Sequence, residues 1–310
     1  MNVLFHYAAG PDLAARLAAV PDLQITICPE HDDALLARVL RDTDVLWHVL
    51  KRCTSDMIAA APRLRLIQKI GVGVNTIDLD AAQARDIAVC NLPGTNARAV
   101  AELTLTLMLA VLRRLPRFDA AMRCGEWSDP DLQDGIGELG GRTVGLVGYG
   151  AIPQVLAPVL AALGCRVIYT ARTRHADAAG EWCSLDALLA QADVVSLHLP
   201  LTEATASLID AAALRRMKPG AVLINTARGG LVDQAALTEA LSADRLAGAG
   251  LDVFVHEPHD VSEALFRLPN VVLTPHIAWL TTGTFDRSFA LAAENCRRLA
   301  AGEALLHRVV

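Results

Sequence analysis

TVGLVGYGAIP, residues 143–153, decides how this chain is read. The β-branched run TVGLV leads into Gly148-Tyr149-Gly150 and then into a stretch of helical period from about Ala151 to Leu163. Strand, Gly-x-Gly turn and helix, in that order, bring the backbone N–H groups of a helix N-terminus up to the pyrophosphate of a dinucleotide. Gly148 makes the tight turn, Gly150 lets a phosphate approach, and the N–H groups of Ala151 and Ile152 point out of the first helical turn. Pro153 stands where a third glycine is usual. It removes none of those donors, since its own N–H would be unpaired there and proline is tolerated in a first turn. What it alters is the close packing of helix on strand. Pro158, farther along, predicts a kink and an unpaired carbonyl at Gln154.

Working outward, CRVIYT follows as a second strand and ends in ARTRH. Dinucleotide folds place an acidic residue at that strand end to hold the ribose 2′-hydroxyl of NAD. Between Cys165 and Ala176 there is no Asp or Glu, and Ala171 stands about where the acid would be. Arg172, Thr173 and Arg174 offer two guanidiniums and a hydroxyl to a phosphate dianion instead, which favours NADP(H) and leaves NAD(H) as the second option. On an exposed turn the same arginines would also serve simply as solvated charges.

The remaining pattern is α/β throughout. Runs at Val3–Tyr7, Leu23–Cys28, Val45–Val49, Leu66–Ile70 and Ile87–Cys90 read as strands separated by helical segments, followed by an apolar helix over Ala99–Leu115. The polar, Gly-rich passage RCGEWSDPDLQDGIGELGGR then reads as a connection. After TVGLVG and CRVIYT the second series continues through VVSLHL, AVLINT, AGAGLDV and VVLTP, with helices near Leu185–Ala190 and Gln234–Leu241. A last helix, about Thr282–Ala300, offers a return to the first series. The expectation is an α/β protein of two Rossmann-like domains with parallel sheets: a dinucleotide-binding domain, 99–282, inserted in a discontinuous substrate domain, 1–98 and 283–310.

Composition narrows the partners. The chain has 310 residues, 53% of them hydrophobic and 20% charged, with a net charge of −6 and no basic cluster, which argues against nucleic acid. Seven scattered cysteines without a C-x-x-C pair read as reduced thiols of a cytoplasmic protein. MNVLFHY reads as a first strand and not a leader, and the apolar run Ala99–Leu112 is too short to span a bilayer.

Three further stretches, LINTARGGLVD, LDVFVHEP and LTPHIAW, fall at predicted strand ends of the second series. With GYGAIP, and with KIGVGVNTIDLDAA and VCNLPGTNARAVAELTLTLML upstream, their order closely resembles the D-isomer-specific 2-hydroxyacid dehydrogenase family over nearly the whole chain. The resemblance implies that Arg228 binds the substrate carboxylate, that His276 is the acid/base and that Glu257 orients it. It also implies that the backbone at Val72 and Gly73 helps hold the carboxylate and that Leu50, with His48 and Val49, lines the side-chain pocket. Thr226, Asp252 and Ala278 would lie by the nicotinamide, and His198, Pro200 and Thr205 on the adenosine side. The chemistry needs these types: a keto oxygen gaining negative charge needs a proton donor, a carboxylate partner fixes the imidazole, and a guanidinium fork matches a carboxylate. Singly, a histidine after Thr-Pro or an arginine before Gly-Gly reads as a loop residue or a cap; the three together at the ends of one sheet do not.

His256, Glu257 and His259 lack the i, i+4 spacing of a zinc helix, and Pro258 would break one, so no metal is expected. The other histidines, His6, His31, His48, His175 and His307, read as surface or loop residues. Within the family the YTARTR turn and Trp279 look most like NADPH-dependent glyoxylate/hydroxypyruvate reductases, and the lack of sequence after Val310 argues against the longer phosphoglycerate dehydrogenases. The expected activity is reduction of small 2-ketoacids to D-2-hydroxyacids. A dinucleotide-sensing, corepressor-like protein and a dehydrogenase for another acid (lactate, phosphite or a bulkier 2-ketoacid) are the alternatives. A homodimer formed through the cofactor domain and the Ala99–Leu112 helix is the expected assembly.

Overall fold

In the computed structural model, which describes residues 1–127 and 129–310, the chain divides into two compact units, Met1–Asn96 with Leu280–Val310, and Ala97–Trp279. The crossings expected at 98/99 and 282/283 fall inside or at the start of helices, and each helix instead goes whole with one unit.

The first unit runs β1 (Asn2–His6), α1 (Pro11–Ala18), β2 (Gln24–Cys28), α2 (Asp33–Val39), β3 (Val45–His48), α3 (Ser55–Ala59), β4 (Leu66–Lys69), α4 (Leu79–Gln83) and β5 (Ala88–Cys90). Its five strands lie in the order β2-β1-β3-β4-β5, with every pair parallel. The strands are near-continuous apolar runs because both faces of such a sheet are covered. Each strand ends at or before the residue expected, so Tyr7, Val49 and Ile70 stand just outside.

The second unit runs α5 (Ala97–Leu112), α6 (Leu115–Arg123), α7 (Pro130–Gln133), β6 (Thr143–Val147), α8 (Ala151–Ala162), β7 (Arg166–Thr170), β8 (Glu181–Trp182), α9 (Leu185–Gln191), β9 (Val194–Leu197), α10 (Ala211–Arg216), β10 (Val222–Asn225), α11 (Gln234–Ser242), β11 (Gly248–Leu251) and β12 (Val271–Leu273). The seven parallel strands lie in the order β12-β11-β10-β9-β6-β7-β8. Counted from β6 this is the doubly wound order, with its reversal between β6 and β9. Successive residues of β10 alternate between two cores: Val222 and Ile224 pack with α5 and α8, and Leu223 with α9, α10 and α11.

The long apolar helix stops at Leu112, short of Leu115, because Arg114 adopts a left-handed backbone (φ 51°) and Pro116 opens α6. In the Gly-rich connection, of which Ser128 lies outside the described residues, α7 forms where Asp129 accepts from the N–H groups of Asp131 and Leu132. Helix α8 continues through Pro158, which is exposed, so water can serve the carbonyl that proline leaves.

A last helix, α12 (Thr282–Ala301), belongs to the first unit, capped by Thr281 and ended by Gly302 at φ 69°. Phe289 stacks on Trp47 (centroids 5.5 Å apart), and the buried Asn295 amide donates to Gln68 at 2.7 Å. Beyond it the tail pairs with β5: the Val309 N–H donates to the Val89 carbonyl at 2.7 Å and the Val89 N–H to the Val310 carbonyl at 3.1 Å.

His6 and His48 are buried, at 1% and 0% exposure, and are not the surface residues expected. They close β1 and β3, the central strands of the first sheet, and face one another in register. His31, His175 and His307 are exposed. None of the seven cysteines is in a disulfide. Among the described residues no helix is long and apolar enough to cross a membrane, and no group of three His, Cys, Asp or Glu side chains is arranged to hold a metal ion.

Candidate active site

At the carboxyl end of β6, Gly148 turns with φ 100°, and a Cβ there would strike the His198 carbonyl. Gly150 is the N-cap of α8, and a Cβ on it would meet nothing within 4 Å. The space above that cap and the N–H groups of Ala151 and Ile152 therefore suit a phosphate. Pro153 is buried in the same turn and takes no donor from it. Past the end of β7, Arg172, Thr173 and Arg174 are all exposed, and among the described residues neither arginine has a carboxylate within ion-pair distance. The glycine turn and the α8 N-terminus fit a dinucleotide.

The other residues expected on the cofactor side follow β9, β10, β11 and β12. Ser196 and the His198 Nε2 are 2.9 Å apart, and burial pushes the His198 imidazole down to about 3, so it is neutral. The Thr205 hydroxyl donates to the Pro200 carbonyl at 2.7 Å and accepts from the Thr202 N–H, closing the turn that follows. The hydroxyls of Thr226 and Thr104 lie 2.9 Å apart and buried. Asp252 is fully buried: it accepts from Thr274 Oγ1 (2.6 Å), the Ile277 N–H (2.9 Å) and the Ala278 N–H (2.9 Å). Burial nonetheless pushes its carboxyl above the ordinary range. Asp252 thereby fixes the backbone just after His276.

Glu257 Oε2 lies 2.6 Å from His276 Nδ1. The other Glu257 oxygen accepts the Phe254 N–H at 3.0 Å. Burial alone would raise the Glu257 carboxyl, but the hydrogen bond and charge of His276, the Phe254 N–H and the Arg228 charge outweigh it and hold the group below its usual range. With Nδ1 held by a carboxylate, Nε2 is the nitrogen presented to a substrate. The His276 backbone is left-handed (φ 55°), and the Trp279 indole N–H donates to its carbonyl at 3.0 Å. Arg228 is half-buried, its guanidinium donating to the Ala227 carbonyl at 2.6 Å; burial lowers its pKa, and Glu257 opposes that. Arginine remains cationic at any working pH.

Leu50 and Val72 follow the carboxyl ends of the neighbouring strands β3 and β4 in the first unit, and Gly73 comes next. Leu50 is half-buried and its N–H donates to Glu30 at 3.2 Å, while Val72 is 43% exposed. His48 and Val49 do not line open space as expected: both are buried, His48 hydrogen-bonding to the Lys51 carbonyl at 2.7 Å.

Two residues that sequence reasoning passed over hold Arg228 in place. The Asn225 side chain accepts from the Ala227 N–H (3.0 Å) and donates to the Arg228 carbonyl (2.9 Å). Gly229 packs against the Phe254 backbone so tightly that a Cβ would overlap the Phe254 carbonyl and the Val255 nitrogen. This seats the Arg228 turn directly on the loop that carries Glu257. The Gly-Gly after Arg228 was the visible signal for it.

Residues 105–278 match the family described as "D-isomer specific 2-hydroxyacid dehydrogenase, NAD binding domain". D-3-phosphoglycerate dehydrogenase of Mycobacterium tuberculosis (strain CDC 1551 / Oshkosh) is 42% identical over 306 residues, covering 97% of this chain and 54% of that one, so the chain spans about half the length of that relative. Glyoxylate reductase of Thermococcus litoralis is 40% identical over 280 residues, covering 87% and 84%. A crystal structure of a Thermus thermophilus protein superposes with a TM-score of 0.90 at 39% identity, covering all of both chains. A match across the doubly wound unit, together with relatives of this identity over most of the sequence, makes the chain a member of the D-isomer-specific 2-hydroxyacid dehydrogenase family.

Proposed function

We propose that this protein reduces small 2-ketoacids of the glyoxylate and hydroxypyruvate type to D-2-hydroxyacids, with NADPH preferred to NADH. The observation that carries the reading is the Glu257–His276 pair, 2.6 Å apart, with the Arg228 cation acting on the same carboxylate. In this reading residues 97–279 hold the dinucleotide on Gly148, Gly150 and the α8 N-terminus, and Leu50, Val72 and Gly73 are substrate-binding residues. Bound reduced dinucleotide supplies the hydride.

The chain's own groups do the rest. Arg228 pairs with the substrate carboxylate through its planar fork, and its charge stabilises the oxygen that becomes an alkoxide. His276 delivers a proton from Nε2 to that oxygen, and Glu257 holds the ring in this orientation and balances its charge while it carries the proton. Thr226, Asp252 and Ala278 frame the nicotinamide side, and His198, Pro200 and Thr205 the adenosine side. The absence of Asp or Glu between Cys165 and Ala176 and the pair Arg172 and Arg174 support the NADPH preference. A cytoplasmic homodimer joined through the Ala97–Leu112 helix completes the proposal.

The mycobacterial relatives favour a second reading, oxidation of D-3-phosphoglycerate. Initial rates of NADPH and NADH oxidation with glyoxylate, hydroxypyruvate and phenylpyruvate, set beside D-3-phosphoglycerate with NAD and NADP, separate the two. The expected result is fastest turnover with NADPH and a small 2-ketoacid, lost in His276→Ala. Turnover only with D-3-phosphoglycerate would replace the first reading by the second. Nucleotide binding with no turnover on any acid would make the protein a dinucleotide sensor.

A further inference from the structure

The loop between β7 and β8 is fastened at points that the dinucleotide fold does not require. The Trp182 indole N–H donates to the Ala171 carbonyl at 3.0 Å, while the Arg174 guanidinium carbon sits over the indole face, 4.4 Å from the ring centroid. The Tyr169 hydroxyl accepts the His175 N–H at 2.8 Å. Tyr149, the middle residue of Gly148-Tyr149-Gly150, accepts the Ala179 N–H at 2.9 Å through its own hydroxyl, and its ring packs on Tyr169 with centroids 4.2 Å apart. Both ends of the loop are therefore tied to aromatic side chains, one of which belongs to the pyrophosphate turn itself.

The charges fit the same pattern. Glu181, next to Trp182, is engaged by Arg166 at 2.7 Å and does not reach the arginine turn. Asp177, in the same loop, makes no ion pair with Arg172 or Arg174 among the described residues. A guanidinium over an aromatic ring uses its face and keeps its N–H edge for a dianion.

We propose that Trp182 and Tyr149 are positioning residues that hold the Arg172–Arg174 turn ready for the 2′-phosphate of NADP(H), so that cofactor choice in this chain depends on two aromatic side chains that carry no charge. This rests on the NADPH reading above. A flexible turn would lose rotamer and backbone freedom on meeting the phosphate, and fastening it beforehand removes that cost.

The test is calorimetric titration of the full chain with adenosine 2′,5′-bisphosphate and with adenosine 5′-monophosphate, alongside thermal unfolding. Wild type is expected to bind the bisphosphate at least about tenfold tighter. Trp182→Ala, which removes both the ring face and the indole donor, lowers that ratio by about tenfold and shifts monophosphate affinity by less than about threefold. Trp182→Phe, which keeps a ring but loses the donor, falls between, and it decides the matter should the alanine variant fail to fold. Tyr149→Phe, which frees the Ala179 N–H, also lowers the ratio. A wild-type ratio retained in Trp182→Phe and Tyr149→Phe overturns the positioning role and leaves the NADPH reading standing. Equal affinity of wild type for the two probes overturns the NADPH reading and this inference with it.

Discussion

Asn225→Ala is the substitution that asks most of the proposed site, because Asn225 touches no reacting group. Its side chain is 1% exposed and bonds two backbone groups of the turn that carries the arginine, the Ala227 N–H and the Arg228 carbonyl. A buried backbone group left without a partner costs roughly 1–3 kcal/mol. Ala227 and Arg228 are only half-buried, so water reaches part of the turn and the low end applies, giving about 2 kcal/mol for the two groups. The turn then relaxes and the guanidinium leaves its place beside Glu257. Misplacement on the order of 1 Å lowers turnover by about 10²-fold. The assay pairs urea unfolding with kcat/KM for a 2-ketoacid in wild type, Asn225→Ala, Arg228→Ala and the double variant. If Asn225 acts through Arg228, the double variant is no worse than Arg228→Ala alone within about threefold. Losses that multiply refute the reasoning, as does a variant that loses stability but keeps kcat/KM within about threefold of wild type.

Gly229→Ala drives a Cβ into the Phe254 backbone, which no rotamer relieves; activity should fall by at least about 10²-fold, measured on protein whose unfolding midpoint is recorded in parallel. His276→Ala should lower kcat by about 10²-fold or more, while Glu257→Gln, which keeps the shape but not the charge, should give a smaller loss; equal losses in a pH-rate series would argue that the Glu257 charge is required and that orientation alone is not enough. Burial, aided by the Lys51 charge, lowers His6 from 6.5 to about 4. Its folded pKa is depressed, so the unfolded chain binds the extra proton: stability is full above about pH 6.5 and falls by about 3 kcal/mol as the pH drops through 4. Urea midpoints at pH 7.5 and 4.5 should therefore converge in His6→Leu relative to wild type, and parallel losses in the two proteins would rule the histidine out.

Much of the fold was legible because both sheets are buried on two faces, so their strands stand out as short apolar runs between helical periods. What could not be read were elements whose stability comes from outside their own residues. The two-residue β8 forms only where Glu181 and Trp182 meet Ile168 and Tyr169. Helix α10 is six residues that the Asp210 cap organises. His6 and His48 look like surface residues in one dimension, and only the central position of β1 and β3 encloses them. The site shows the same division. Glu257 and His276 were singled out through the family resemblance that LDVFVHEP and LTPHIAW help carry, and they meet at 2.6 Å. Gly229 did not reveal its partner, since nothing local says that the Phe254 backbone will lie against it. Trp182 lay outside the YTARTR turn, and its hold on Ala171 depends on the loop folding back.

The pairing of residues 307–310 with β5 sets an order of events during synthesis. The stretch Ala97–Trp279 is continuous and has all of its sheet once residue 279 has left the ribosome. The first unit has its five strands by residue 90, yet it lacks α12 and the tail that bonds Val89. Between the synthesis of residue 90 and that of α12 and residues 309–310, therefore, its newly made β5 edge and the Trp47 face lack the groups that cover them in the finished fold, the situation in which unpaired strands seek other chains. The strands of the first unit precede the whole of the second unit and are completed only after it.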